Sequence, residues 1–432
     1  MNRRRAFASR HWRTALTTAA LMAGVAACGS GGGGAQSDPT SYKGKTLTVW
    51  LMAGDNPQSW VDAVTTQFEA AYPGAKLVVQ PQQWTGIQSK MTSALAGLTP
   101  PDVVEIGNTQ TAYYASTGGL LPLDPYRKDL GGADWTPSMD KSTIVGNKQF
   151  AAPWFAGNRV VMYNKKLWKA AGLNPPQTMA EWLTDLGKLQ HTKGVSSALY
   201  LPGQNWYAFD GFLQDAGADI LTLKGNQWVG DLDSPAALKA ANLFKKLQSY
   251  GKAPKDQDEQ HPVQATVFAK GDVASMIAMG YEEAPVIAAN KSMDGNIGYF
   301  PIPGDTAGKP AKTFLGGSNL AVAETSTQRT MALGFLKIAL DDENEKAYVK
   351  LNGFLPNKAS LYSALDGNAY AAAAQKAAPN AGFTPLVRAW ANVENPPNPI
   401  STLFLTPILE GKDPVAAAKA ADAKLTARIK LG

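Results

Sequence analysis

From Lys45 onward, short β-rich runs alternate with longer helical ones, and this alternation restricts the chain to sheets covered by helices. Thr46 to Trp50 is the first predicted strand. Asn56 can cap, and Pro57 can open, a helix whose Trp60, Val61, Val64, Phe68 and Ala71 share one face, and Tyr72-Pro73-Gly74 stops it. Lys76 to Gln80 returns as a strand, Ile87, Met91, Ala94, Leu95 and Leu98 recur at helical spacing, and Asp102 to Ile106 follows as a buried strand. Such a βαβ series turns right-handed and predicts a parallel sheet. Further on, Thr178-Met179-Ala180-Glu181 is a capping box before Trp182, Leu183, Leu186 and Leu189. Ser234-Pro235 starts a helix bearing Leu238, Ala241, Phe244 and Leu247 that stops at Gly251. Lys224-Gly225-Asn226 predicts a hairpin turn between Ile220–Leu223 and Gln227–Val229, and Val273–Met279 and Ile297–Phe300 are strand candidates. No internal repeat or heptad array interrupts this plan.

Cys28 is the only cysteine, so no intrachain disulfide is available and the fold depends on its hydrophobic cores. It follows Val25-Ala26-Ala27 and an apolar stretch, Ala15 to Ala27, that is too short to span a bilayer and is preceded by five arginines. This pattern predicts a lipoprotein signal peptide over 1–27, with Cys28 acylated and the protein lipid-anchored on the extracytoplasmic face of the cell membrane. Arg4-Arg5-Ala6-Phe7 also resembles a twin-arginine signal, which leaves the export route open. The formal charge of +6 comes mostly from this leader: removing its five arginines from the 41 basic residues leaves 36 against 35 acids. A near-neutral body gives no electrostatic case for nucleic acid. Residues 28–44 are polar and Gly-rich, a flexible tether, and the length beyond them suffices for two domains.

Several runs together resemble the extracellular solute-binding proteins of ABC importers, in the sugar-binding branch that includes maltose-binding protein. They are Leu47-Thr48-Val49-Trp50, Phe68 to Gly74, Pro101 to Val104, Gly118 to Asp124, Pro153 to Lys165 with Met162-Tyr163-Asn164-Lys165, Pro176 to Trp182, Phe268 to Met276, Gly316-Gly317-Ser318 and Gly353-Phe354-Leu355-Pro356. Their order and spacing span nearly the whole mature chain. The resemblance implies an α/β, two-lobed periplasmic-binding-protein-like fold of type II with the ligand cleft between the lobes. Lobe 1 is then 45–152 plus 312–362, and lobe 2 is 153–311 plus 363–432. It further implies hinge closure on a mono- or oligosaccharide, delivery to ABC permease subunits with a cytoplasmic ATPase, a monomeric receptor, and neither cofactor nor metal.

A pyranose offers apolar C–H faces for an aromatic ring and hydroxyls that need paired donors and acceptors. The chain has 11 Trp, and aromatic and amide residues gather where strands end. Candidate ligand residues are Asp55 and Asn56 after the first strand, Gln83 and Trp84 after the second, and Asn108 and Gln110 after the third. Trp154 and Asn158 lie at the inferred crossover, Asn205 and Trp206 at a helix start, Tyr281 and Glu282 at the end of an apolar strand, Gly317 and Ser318 in the Gly-Gly-Ser run, and Trp390 in the C-terminal third. Trp50, Trp60, Trp168 and Trp182 sit on apolar faces and read as core, Asn56 equally reads as a helix cap, and Gly316-Gly317-Ser318 as a tight turn.

His191 and His261 are the only histidines of the mature body, with no two-histidine metal motif, nucleophile elbow or phosphate loop, so metal and nucleophilic catalysis are not expected. A secreted carbohydrate-active hydrolase using two carboxylates such as Glu105 and Glu282 is the enzymatic alternative, and an ABC receptor for a non-sugar solute is the other.

Overall fold

The computed structural model describes residues 42–430. The predicted signal peptide, Cys28 and most of the predicted tether lie outside the described residues.

The βαβ pattern forms as its periodicity requires. Thr46–Met52 pairs in parallel with Lys76–Gln82, with Val49 opposite Val79, and in parallel with Val103–Gly107 on its other side. The helix Gln58–Ala71 buries Trp60, Val64 and Phe68, and the helix Ile87–Leu95 buries Ile87, Met91 and Leu95. The sheet then departs from the all-parallel expectation. Its six strands run in the order Leu355–Pro356, Ala152–Asn158, Leu315–Val322, Val103–Gly107, Thr46–Met52, Lys76–Gln82, and the strand Leu315–Val322 is antiparallel to both neighbours. The reason is topological: Leu315–Val322 enters from the other half of the molecule rather than through a local crossover helix.

A second sheet of three strands centres on Val160–Asn164, flanked antiparallel by Ser275–Ala278 and Ile297–Phe300. Only Arg159 separates the strand Ala152–Asn158 of the first sheet from the strand Val160–Asn164 of the second. The chain therefore crosses between sheets at Arg159, and it returns before Leu315. Each sheet has its own core. Val49, Trp60, Phe68, Trp154, Phe335 and Tyr348 fill the first, and Trp168, Trp182, Phe209, Phe244, Phe404 and Leu425 fill the second. Tyr370, Ala371 and Ala374 of the helix Ala369–Ala377 pack in the first core, whereas the helix Pro414–Ile429 packs in the second.

Local signals explain most boundaries. Thr178 and Glu181 form the reciprocal capping box of the helix Met179–Gln190, and Ser234 Oγ accepts from Ala237 N at the head of Pro235–Gln248. The hairpin Leu221–Lys224 with Gln227–Gly230 turns through Gly225 at φ 62°. Asn56 does not cap the first helix. Its amide donates instead to Met52 O at 2.9 Å and Glu105 Oε2 at 3.1 Å, because a buried carboxylate needs donors more than an exposed helix end does.

Candidate ligand-binding site

Strands of the first sheet end where the second half of the molecule begins, and the loops after them supply one wall of the junction. After Met52, Asp55 accepts from Trp84 Nε1 at 3.2 Å, while its carbonyl accepts from Tyr348 Oη at 2.9 Å and Asn352 Nδ2 at 3.1 Å. Trp84 keeps 41% of its surface exposed, which leaves the indole open for a ligand. After the third strand, Thr109 Oγ1 and Gln110 Nε2 donate to Glu394 Oε2 at 2.9 and 3.3 Å, and Gln110 Oε1 accepts from Tyr114 Oη at 3.1 Å.

The facing wall starts at the crossing. Arg159 Nη2 pairs with Glu259 Oε1 at 3.0 Å and its guanidinium lies 4.7 Å over the Tyr207 ring. Tyr207 stacks on Phe314 at 4.9 Å and lies 3.9 Å from Trp206, whose ring is 6.2 Å from Trp390. Trp390 Nε1 donates to Glu394 Oε1 at 2.9 Å.

Electrostatics tie the walls together. The Tyr281 hydroxyl is held well above its ordinary value by burial first, then by Glu282 and Glu259, with Arg159 opposing and Asp55 adding to the rise. Burial likewise raises Glu394, and it raises Asp55 and Glu105, whose mutual charge adds to the rise at Glu105. Glu282 is pushed up to about 7, again by burial.

Several predicted residues belong elsewhere. Trp154 is fully buried, 5.2 Å from Trp60 and 4.5 Å from Tyr348, so the first core holds it and not a ligand. Asn158 is also buried: Nδ2 donates to Ala374 O at 3.1 Å and its carbonyl accepts from Tyr370 Oη at 2.9 Å. Asn108 donates to Leu315 O at 2.8 Å and to Gly317 O through its backbone at 3.0 Å, clamping one strand to the next. Gly317 has φ +143°, and a Cβ there would strike the Phe155 carbonyl, so the glycine serves strand packing; Ser318, 1% exposed, lies opposite Gly107 and Phe155 in the same sheet. Asn205 caps the helix Trp206–Asp215 through Ala208 N at 3.0 Å.

The apolar strand stops at Ala278, and a 3₁₀ turn over Gly280–Glu282 folds Glu282 onto Met279 N at 2.9 Å and Gln264 Nε2 at 2.7 Å. Glu282 thus lines its own wall without pointing free. Trp390 is fully buried and meets the junction through Glu394 and beside the Trp206 ring. Gln83 is exposed beside Trp84. Asp55, Trp84, Gln110, Trp206 and Tyr281 remain at the junction, joined by Thr109, Arg159 and Tyr207, which stand beside candidates in the same sequence runs, and by Glu259 and Glu394, which the sequence did not single out.

Two α/β lobes, each with its own core, meeting across a junction of aromatic rings, carboxylates and amides, define a two-lobed ligand receptor. Residues 53–346 match the family model for bacterial extracellular solute-binding proteins. The chain is 46% identical over 418 residues to the diacetylchitobiose binding protein DasA of Streptomyces coelicolor, covering 96% of this chain and 97% of that one. It therefore belongs to the bacterial extracellular solute-binding proteins. It is also 22% identical over 339 residues to the sn-glycerol-3-phosphate-binding periplasmic protein UgpB of Salmonella typhimurium, covering 73% of this chain and 75% of that one. Among solved structures, the GacH receptor of Streptomyces glaucescens superposes with TM-score 0.78 at 24% identity, covering 89% of this chain and 98% of that one, and shares the fold.

Proposed function

We propose that the protein is the sugar receptor of a carbohydrate ABC importer, which closes on a mono- or oligosaccharide and returns it unchanged to the membrane permease. The observation that carries this reading is the chemistry of the junction: an open indole at Trp84 for a sugar face, carboxylates at Asp55 and Glu259 to accept from hydroxyls, and one guanidinium, Arg159, already paired with Glu259. A phosphate ester would face acids with no free cation in this set, which argues against a UgpB-like ligand. The 46% identity to a protein named for diacetylchitobiose makes an N-acetylated disaccharide the first sugar to try.

A hydrolase would need two carboxylates poised across one bond. Glu105 is instead spent on Met52 N and Asn56, and Glu282 on Met279 N and Gln264, within separate sheets' neighbourhoods. The lobes are taken as the two sheets with their cores, meeting at Arg159, before Leu315 and after the helix Ala369–Ala377, which adjusts 45–152 plus 312–362 and 153–311 plus 363–432. Acylation at Cys28 would hold this monomeric receptor beside its permease.

Calorimetry on the exported chain with N,N′-diacetylchitobiose, maltose and sn-glycerol 3-phosphate tests the reading, with the sugars recovered and analysed afterwards. Micromolar or tighter binding of an intact sugar is expected. Binding of the phosphate ester alone, or recovery of cleaved sugar, would overturn it.

A further inference from the structure

Glu394 is the carboxylate of the second lobe that reaches hydrogen-bond donors of the first. It ends the short helix Trp390–Glu394, whose Trp390 and Val393 pack in the second core. Oε1 accepts from Trp390 on its own helix at 2.9 Å, which fixes the rotamer, while Oε2 accepts from Thr109 Oγ1 at 2.9 Å and Gln110 Nε2 at 3.3 Å. Thr109 and Gln110 follow the third strand of the first sheet, and Tyr114 orients Gln110 from the adjoining core. Behind the helix, Arg428 Nη1 donates to the carbonyls of Asn392, Val393 and Asn395 at 3.0, 3.4 and 2.7 Å. Those are the orphan carbonyls of a helix C-terminus, where a guanidinium is favoured by both hydrogen bonding and the local dipole. The C-terminal helix thereby holds the segment that carries Glu394.

We propose that Glu394 is a closure latch, bonded across the lobes to Thr109 and Gln110 and positioned by Arg428, which sets the open–closed balance of the receptor and through it the affinity for ligand. The proposal rests on the two-lobed receptor reading above. Its physical basis is that all donors and acceptors are the chain's own, so the bonds form whenever the lobes meet and are lost whenever they part. Two charge-assisted bonds present in only one state bias that state about tenfold or more. The acid accepts three bonds at one half-buried carboxylate, so an alanine there leaves Thr109 Oγ1 and Trp390 Nε1 without their partner.

The test is a double-mutant cycle across the lobes: Glu394→Ala, Thr109→Val and both together, with Arg428→Gln as the positioning variant and Glu394→Gln as the conservative one. X-ray scattering of the unliganded full chain reads the open–closed balance, and stopped-flow binding of N,N′-diacetylchitobiose reads affinity and release. Glu394→Ala should enlarge the radius of gyration and weaken binding about tenfold, chiefly through faster release. Arg428→Gln should shift both the same way by less, Glu394→Gln should recover part of the loss because it keeps an acceptor, and the double variant should be no worse than Glu394→Ala alone. An unchanged radius of gyration, tighter binding, or strictly additive effects of the two cross-lobe substitutions would overturn the latch. If the sugar does not bind, the scattering cycle still decides it. Thr109→Val, which conserves volume, serves where Glu394→Ala fails to fold.

Discussion

Replacing Trp84 with alanine should cost affinity without costing fold. An indole side chain carries up to about 250 Å², of which 41% is exposed here, about 100 Å². A sugar ring that covers half of that removes about 50 Å² from water, which at ~25 cal/mol per Å² is about 1.3 kcal/mol, or close to tenfold in the dissociation constant. Losing the Nε1 bond to Asp55 adds to this only where Asp55 itself meets ligand. Titration calorimetry and thermal unfolding on the same samples separate the effects. Trp84→Ala should bind about tenfold more weakly and melt as the parent does. Trp154→Ala supplies the control: its ring is fully buried against Trp60, Phe155 and Tyr348, and emptying that site should cost about 3–5 kcal/mol of stability. A Trp84→Ala protein that binds like the parent, or that loses as much stability as Trp154→Ala, would refute the assignment of Trp84 to ligand and Trp154 to core.

Glu345 is fully buried in the first lobe, accepts from Asn357 N at 2.9 Å, and has its carboxyl pushed up to about 8 by burial. A folded value above the unfolded 4.5 means stability fully present below pH 4.5 and lost as pH rises through about 8, about 3 kcal/mol of it by pH 7; Glu345→Gln should remove most of that slope, and parallel pH–melting curves for the two proteins would refute this. Gly317→Ala should destabilise the chain severely, because a methyl group would meet the Phe155 carbonyl at a φ of +143° that L residues rarely adopt, and an unchanged denaturant midpoint would contradict it. Cys28→Ala should release the exported protein from the membrane fraction into the medium, as read by fractionation, and retention there would remove the lipid-anchor assignment.

What the sequence made legible was whatever is decided locally. The first three strands and two helices, the Thr178–Glu181 capping box and the Gly225 hairpin each follow from spacing or a turn residue within about a dozen positions. The antiparallel half of the first sheet was not legible, because it joins strands more than 150 residues apart: Leu320 pairs with Ala152 and Glu105. Trp84 and Trp154 looked alike as sequence, each an aromatic residue in a short polar or mixed run. They differ because every residue of Ala152–Asn158 is buried, so the strand has no solvent face and its alternation carries no information.

The same distance argument explains which site residues were missed. A residue that caps or packs near its own position is bound by neighbours in sequence, which is why Asn56, Asn205 and Glu282, plausible as ligand groups, are occupied by Met52, Ala208 and Met279, three or four positions away. Glu394 and Arg159 have the opposite character. Glu394 meets partners 284 and 285 positions away, and Arg159 meets Glu259 100 positions away, so neither can be read from periodicity. In a chain that crosses between two sheets, a contact from one half to the other away from the crossing joins residues distant in sequence, as Glu394 does with Thr109 and Gln110. The junction is therefore the part of this fold that sequence patterning records least, and the cores beside it the part it records best.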